Sequence, residues 1–599
     1  MKDQDVLILG LGASGLAMAR WCARQGARVT VADTRDAPPQ LAALRADCPQ
    51  ASFVAGAFDE ALLARAEWQL IARSPGLAPA ALQVVFDRAA ARGIDVVGEL
   101  DLFARALGEL AQRERLPYRP KVLAITGTNG KTTVTALTGL LLQRAGVNVA
   151  VAGNIGPSLL DVLSAALDAE AEAQQADDDR AAAEAEVEAQ AARDATPAPA
   201  AEAPASGADP DRNAEGDADV DVDEAAAAAA EDDAEDPTLL VPPPVEPPQP
   251  AHLPRVWVLE LSSFQLDGAG DGAWAAVPSA ATVLNLSEDH LDWHGSMAAY
   301  TQAKAAVFGA QALMLLNRDE PLVMAMKPGL VTVKVGNRNR QQSARPWASF
   351  GLDAPSRAGD WGIESVNGMD WLVRAIALDE TRKRGRGAED DEEIYFQRLM
   401  PVDALRIRGR HNAANALAAL ALAASTGAAL GPMLHGLREY RGEPHRVEPV
   451  AILDEVEYFN DSKGTNVGAT LAAVRGLGAE RHLVVILGGD GKGQDFTPLA
   501  ESLARFARAV VYIGRDAARI RAAVGEALAQ ANVAQHDADT LPAAVALAAQ
   551  QARSGDAVLM SPACASLDMF DNYEHRGRVF VQAVGALAHR NGTMVEGSL

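Results

Sequence analysis

At 599 residues with a formal net charge of −26 the chain exceeds one compact domain, and no basic stripe or patch marks a nucleic-acid-binding surface. That acidity is local, because residues 168–246 hold 25 Asp and Glu against three Arg and leave the remainder close to neutral. Three cysteines (Cys22, Cys48 and Cys564) make no disulfide framework, and with no apolar leader or run of about 20 apolar residues they predict a cytoplasmic protein without stable membrane insertion.

Short apolar runs alternate with helical patterns from the start. Residues 6–9 and 29–32 read as strands around a helix over 14–24, the opening of a doubly wound α/β unit assigned to residues 1–106. Between strand and helix lies Gly10-Leu11-Gly12-Ala13-Ser14-Gly15, and Asp33 ends the next strand. Such a loop lets the backbone approach a diphosphate, while the acid accepts from a ribose hydroxyl or a base. The motif points to a nucleotide and leaves NAD and a UDP-sugar equally open.

A second unit, residues 107–441, begins with an apolar strand over 122–125 and continues with strands over 147–152, 256–261 and 281–286. Near-continuous apolar runs of this kind are expected of a parallel sheet covered on both faces. The first strand runs into Gly127-Thr128-Asn129-Gly130-Lys131-Thr132-Thr133, which opens a helix. Backbone N–H groups of such a loop cradle phosphate oxygens, Lys131 would reach the β- and γ-phosphates, and Thr132 would meet Mg²⁺. The loop is shorter than the common phosphate loop, whose first glycine would fall at Ile125. Residues 166–252 are rich in Ala, Asp, Glu and Pro and hold no Phe, Tyr or Trp. They are expected to form a disordered surface insertion, since they carry too little apolar area to offset ordering entropy. A smaller polar surface loop is expected over 379–393.

Asn154, Glu260 and His290 each follow a strand of this unit, at the carboxyl ends where parallel sheets collect ligands. A carboxylate and an imidazole near phosphates suit Mg²⁺, which keeps few protein ligands. Lys304 lies on a helix with Ser296 as its N-cap and reads, by its own chemistry, as a solvated lysine.

The third unit, residues 442–599, repeats the α/β pattern with strands over 457–459, 483–487, 510–513 and 557–560. Polar segments follow strands at Asn460-Asp461-Ser462-Lys463-Gly464-Thr465-Asn466, at Gly488-Gly489-Asp490-Gly491-Lys492 and at Ser561-Pro562-Ala563-Cys564-Ala565-Ser566. Lysines, hydroxyls and glycine amides along one sheet edge suit a small dianion. Arg446, near the start of this unit, is placed to reach across to phosphates.

Together with Ser74-Pro75-Gly76-Leu77, Gly153-Asn154-Ile155-Gly156 and His411-Asn412-Ala413-Ala414-Asn415, these motifs resemble the Mur ligase family over nearly the whole chain. The resemblance implies three α/β domains: a Rossmann-like UDP-binding domain, a central parallel-sheet P-loop-type ATPase domain and a C-terminal doubly wound domain. It implies ATP-dependent addition of D-glutamate to UDP-N-acetylmuramoyl-L-alanine in peptidoglycan synthesis. Gly12, Ser14, Asp33, Thr34, Arg35, Ser74, Gly76 and Asn154 would then hold the UDP substrate. ATP would lie on Gly127 to Thr133 with Asn412, Asn415, Arg446 and Asp461. Lys463, Thr465, Lys492, Ser566 and Tyr573 would surround D-glutamate, Tyr573 standing where the family's final motif has Phe. One Mg²⁺ would be held by Thr132 and Glu260 and a second by His290 and a carbamylated Lys304. Lys131, Glu260, His290, Lys304 and Lys463 would carry the catalysis.

A free carboxylate is a poor acyl donor, so the expected route passes through an acyl phosphate that the amino acid's amine attacks. The expected partners are small molecules only, and the expected state is a monomer. A folylpolyglutamate synthase would share the phosphate loop but has no use for the N-terminal glycine motif. An NAD-dependent oxidoreductase would explain the first unit alone. A scaffold that recruits partners through the acidic tract is compatible as an added role.

Overall fold

Three sheets organise the chain in the computed structural model, which describes residues 1–590 except 115, 195–249, 271, 336–337 and 379–392. The first holds β1 (Asp5–Leu9), β2 (Arg28–Asp33), β3 (Ser52–Ala55), β4 (Leu70–Arg73) and β5 (Asp95–Val97), all parallel, in the order β3-β2-β1-β4-β5. Along β1, Val6 and Ile8 enter one core while Leu7 and Leu9 enter the core on the opposite face. Side chains alternate faces along a strand, so burial on both sides requires an unbroken apolar run.

The central sheet carries β6 (Lys121–Thr126), β7 (Val149–Gly153), β8 (Val256–Glu260), β9 (Ala280–Val283) and β10 (Leu313–Asn317). After a two-stranded ribbon, β11 (Leu330–Val335) and β12 (Arg338–Ser343), come β13 (Trp347–Phe350), β14 (Trp361–Val366), β15 (Met369–Ala377) and β16 (Ile394–Pro401). The order is β16-β15-β14-β13-β10-β9-β6-β8-β7, parallel except at β14–β15–β16. The strand leading into the phosphate loop, β6, lies between β8 and β9, so the carboxyl ends bearing Glu260 and Asn285 flank it. Strands β10 to β16 lie beyond those expected from the sequence for this unit. The polar stretch expected over 379–393 joins the antiparallel pair β15 and β16, where Leu378 N donates to Glu393 O at 2.9 Å; its residues 379–392 lie outside the described residues.

The third sheet is β17 (Glu448–Leu453), β18 (Val456–Asn460), β19 (Leu483–Gly488), β20 (Ala507–Ile513), β21 (Ala534–Asp537) and β22 (Ala557–Met560), ordered β17-β18-β22-β19-β20-β21. Only β17 runs antiparallel. Leu483, Val485 and Leu487 pack on one face and Val484 and Ile486 on the other, again a doubly covered sheet.

The expectation of disorder from residue 166 is corrected. A helix runs over Leu159–Asp194. Leu159, Leu160 and Leu163 are buried in the core shared with the helix Ala13–Arg24, and Arg20 and Arg24 pair with Asp161 and Asp168 at 3.1 and 2.6 Å. The apolar anchor and the ion pairs to the first helix hold the start of a helix that Ala and Glu, strong helix formers, then extend. Residues 250–252 are also placed: His252 N donates to Glu170 Oε2 at 2.9 Å. The rest of that expectation, 195–249, lies outside the described residues.

The boundary expected at residue 106 falls within the helix Glu99–Ala111. Phe103 on that helix meets Trp257 of β8 edge-on at 5.0 Å, so the first and central units share a core.

Candidate active site

The phosphate loop turns out of β6 at Gly127, whose φ of +153° only glycine adopts freely, and re-enters a helix, Lys131–Arg144, through Gly130 at φ +82°. A Cβ at Gly130 would stand 2.7 Å from Asn415 Oδ1, so a residue expected to bind ATP presses on the loop itself. The loop is held from three sides. Asn129 N donates to Asn285 Oδ1 at 2.8 Å, Ser287 N donates to Thr128 Oγ1 at 3.0 Å, and Tyr300 Oη shares a 3.0 Å hydrogen bond with Thr128 Oγ1. Lys131 Nζ curls back to donate to the carbonyls of Gly127 and Thr128, both at 2.8 Å. Burial holds its amine below the ordinary lysine range, partly offset by the Glu260 carboxylate.

Glu260, 3% exposed at the end of β8, accepts from Asn154 Nδ2 at 3.2 Å, which joins two strand ends across the site. Lys304 departs from the solvated reading. It is 2% exposed, and its Nζ donates to Gly127 O at 2.8 Å and to Thr126 Oγ1 at 3.3 Å. Burial, with the Lys131 charge added, pushes it well below the usual lysine value. His290 sits at φ +54° with its ring 3.6 Å from Asp289 and packed on Phe264; burial favours the neutral imidazole.

Among the described residues no three His, Cys, Asp or Glu side chains gather into a metal cage. The donor set of one buried carboxylate, one hydroxyl and one neutral imidazole nevertheless suits Mg²⁺ held jointly with phosphate oxygens and water.

A cleft of about 490 Å³ opens between the central and third units. Asn129, Gly130, Asn412, Asn415, Arg446, Asp461 and Lys463 line it, which brings together residues from three separate stretches of sequence. Arg446 Nη2 donates to Thr132 Oγ1 across the two units. Asn412 is tied to Arg408 O at 2.8 Å and to Asn415 Nδ2 at 3.1 Å. Burial raises Asp461 to about 7 despite the hydrogen bond from Ser561 Oγ at 2.6 Å.

On the third unit, Lys463 Nζ stands 3.7 Å from the centre of the Tyr573 ring, and burial lowers its amine to about 8. Tyr573 thus offers a ring face, which a Phe would offer equally. Thr465, Lys492 and Ser566 occupy the same carboxyl edge of the sheet without lining the cleft; Ser566 is buried and Lys492 exposed.

The first unit supplies its own loop. A Cβ at Gly15 would meet Gly10 O at 2.0 Å, so the third glycine of the motif is a steric requirement, whereas Gly12 faces open space. Ser74 Oγ donates to Gly10 O at 3.0 Å and braces the turn. Asp33 accepts from Leu11 N at 2.7 Å and from the Arg35 guanidinium at 2.8 Å. The Arg35 partner holds its carboxyl down at about 2. Ser14 is half-buried, and Thr34 and Gly76 are exposed.

Family models match three stretches: "Mur ligase MurD-like, N-terminal domain" over residues 4–98, "Mur ligase middle domain" over 251–351 and "Mur ligase, glutamate ligase domain" over 445–564. A curated relative from Albidiferax ferrireducens, named UDP-N-acetylmuramoylalanine--D-glutamate ligase, is 53% identical and aligns over 100% of this chain and 99% of its own. The chain belongs to the Mur ligase family. Mur ligases of the same name from Polaromonas sp. and Burkholderia mallei are each 47% identical, covering 99% and 98% of this chain and 100% and 98% of their own. Mur ligases use ATP and Mg²⁺, which suits the loop and donor set described above.

Within this Mur ligase, sequence reasoning missed several cleft residues, among them Asn317, Phe350 and His411 as a wall. Asn317 ends β10 and was accessible to the same strand-end rule that found Glu260. In the sequence His411 stands out only as the first residue of the 411–415 motif. It is wedged between Gly409 and Gly476, where any Cβ would come within 2.8 Å of its ring, and burial lowers it to about 4. No sequence signal marks such a packing role.

Proposed function

We propose that the chain is an ATP-dependent ligase that joins D-glutamate to UDP-N-acetylmuramoyl-L-alanine, releasing ADP and phosphate, in peptidoglycan synthesis. The observation that carries the reading is the hydrogen bond from Arg446 to Thr132, which sets the amino-acid-binding unit against the phosphate loop. The names of the relatives supply the substrates.

The muramoyl-L-alanine carboxylate attacks the γ-phosphorus of ATP, the bond to the β,γ-bridging oxygen breaks, and ADP leaves. The resulting acyl phosphate is attacked by the D-glutamate amine, the tetrahedral intermediate expels phosphate, and the amine loses a proton. Lys131 swings from its backbone carbonyls to the β- and γ-phosphates, and Arg446 meets the same charge from the other side. The Gly10–Gly15 loop, Asp33 and Asn154 position the UDP substrate. Lys463, Thr465, Lys492, Ser566 and the Tyr573 ring orient the amino acid, whose carboxylates need cationic and hydroxyl partners.

Mg²⁺ supplies charge neutralisation on the phosphates. Thr132 and Glu260 would hold one ion, and His290 with Lys304 a second. Burial disfavours the charged form of the Lys304 amine, and the unprotonated amine is a nucleophile toward CO₂; the carbamate formed on losing a proton would turn an amine into an anionic oxygen ligand. We place the protein in the cytoplasm as a monomer, in keeping with three unpaired, buried thiols. Among the described residues no helix is long and apolar enough to cross a membrane.

The test is phosphate release with ATP, Mg²⁺ and UDP-N-acetylmuramoyl-L-alanine, with D-glutamate compared against L-glutamate and other amino acids. Release that requires D-glutamate is expected. Release with a different amino acid overturns the substrate, and no release with any overturns the ligase reading.

A further inference from the structure

We infer that Asn466 is a positioning residue that locks the amino-acid-binding segment onto the phosphate loop. The inference deepens the ligase reading and rests on it for the identity of the two segments.

Asn466 closes the segment that carries Lys463 and is 7% exposed. Its Oδ1 accepts from Ala469 N at 2.8 Å, capping the helix Val467–Gly478. Its Nδ2 leaves the third unit altogether, donating to Asp289 Oδ2 at 3.2 Å and to Asn129 Oδ1 at 3.4 Å. Asn129 belongs to the phosphate loop and is itself gripped by Asn285, which accepts from its N–H and donates to its carbonyl at 3.0 Å. Asp289 accepts from His290 N at 3.0 Å. One amide therefore touches the phosphate loop and the carboxylate beside His290, three residues after Lys463.

The surfaces meet without slack. A Cβ at Gly468 would stand 2.7 Å from Ser287 Oγ and 3.3 Å from Asn129 Nδ2, so glycine is what lets the helix start sit flush on the central unit. Capping alone does not call for Asn, because Asp caps a helix equally well. Only a side chain with both an acceptor and a donor at this reach can cap the helix and hold an acid across the interface. Movement of the Lys463 segment is thereby tied to the phosphate loop.

Asn466→Asp separates the two roles. The carboxylate keeps the bond to Ala469 N and replaces the donor with a negative charge facing Asp289. The full-length variant is expected to unfold within about 2 °C of wild type, with an unchanged KM for the UDP substrate and a kcat about tenfold or more lower, the loss expected of a hydrogen bond to a charged group. Asn466→Ala, which loses the cap as well, should unfold earlier yet turn over faster than Asn466→Asp. A purely structural cap predicts the reverse order of turnover and would overturn the inference, as would wild-type kcat in Asn466→Asp. X-ray scattering with Mg²⁺ and a non-hydrolysable ATP analogue judges the lock without the amino acid. The Asn466→Asp protein should have a larger radius of gyration than wild type; equal values overturn the lock. Absence of D-glutamate-dependent release in wild type would instead sink the substrate assignment and leave the scattering comparison to decide the lock.

Discussion

Lys131 and Lys304 share one acceptor, the carbonyl oxygen of Gly127, each Nζ at 2.8 Å. Burial disfavours the charge on both amines, and at Lys304 the Lys131 charge adds to it, so both lie below the ordinary lysine range. Their bonding separates their roles. Lys131 holds only backbone carbonyls of its own loop and is free to exchange them for phosphate oxygens, whereas Lys304 is fixed under the loop beside Thr126. Lys131→Ala is expected to abolish ADP formation while calorimetry still detects the UDP substrate; unchanged turnover would remove the phosphate-loop assignment.

Lys304→Ala tests the carbamate. On the proposed role of Lys304 at the reacting phosphates, its removal should lower kcat by about 10²–10³-fold. A short carboxylic acid added at millimolar concentration should restore part of the rate by replacing the missing anionic oxygen. Activity equal to wild type without added acid counts against the carbamate.

Lys463 gives a pH signature. Burial, with the Arg446 charge added, lowers its amine to about 8, so in the free enzyme the ammonium is present below that pH and lost as pH rises through it. Arginine stays charged across the whole range. The ratio of kcat/KM for D-glutamate in wild type to that in Lys463→Arg should fall as pH is raised through about 8, the substrate's own titration cancelling in the ratio. A ratio that stays flat from pH 6.5 to 9.5 would remove Lys463 from carboxylate binding.

The acidic tract can be cut only where the structure permits. Asp168 pairs with Arg24 and Glu170 accepts from His252 N, so a deletion beginning at 168 breaks packing between the first and central units. His252 also lies 4.0 Å from Asp177, which brings the two ends of a shorter deletion together. Joining Asp177 to Pro250 through a short Gly/Ser linker should leave kcat within about twofold, because loop length costs little. Complete loss of ligation in this folded deletion variant would assign the tract a part in catalysis.

These sites differ in how readable they were. Gly10, Gly15, Gly127 and Gly130 were legible because backbone sterics at a strand-to-helix turn are local, and the structure gives each a positive φ or a neighbour that a Cβ would strike. Asn154 and Glu260 were legible because strand ends of a parallel sheet converge, and they do meet, at 3.2 Å. The start of the acidic tract was misread because composition speaks to the average of a segment. Three buried leucines and two arginines on another helix decide its first turns. Lys304 carried no local sign of burial, since the phosphate loop that closes over it lies 177 residues away in sequence.

Taken alone, the sequence determined the doubly wound pattern, the turn glycines and the order of the motifs. Each of these depends on periodicity and backbone conformation within a few consecutive residues. Only the tertiary structure decided that Lys304 lies under the phosphate loop, that Arg446 bonds Thr132, and that Asn466 bridges Asn129 and Asp289. Those contacts join residues 177 to 337 positions apart. Their partners are chosen by how the sheets and their covering helices pack, which no local pattern encodes.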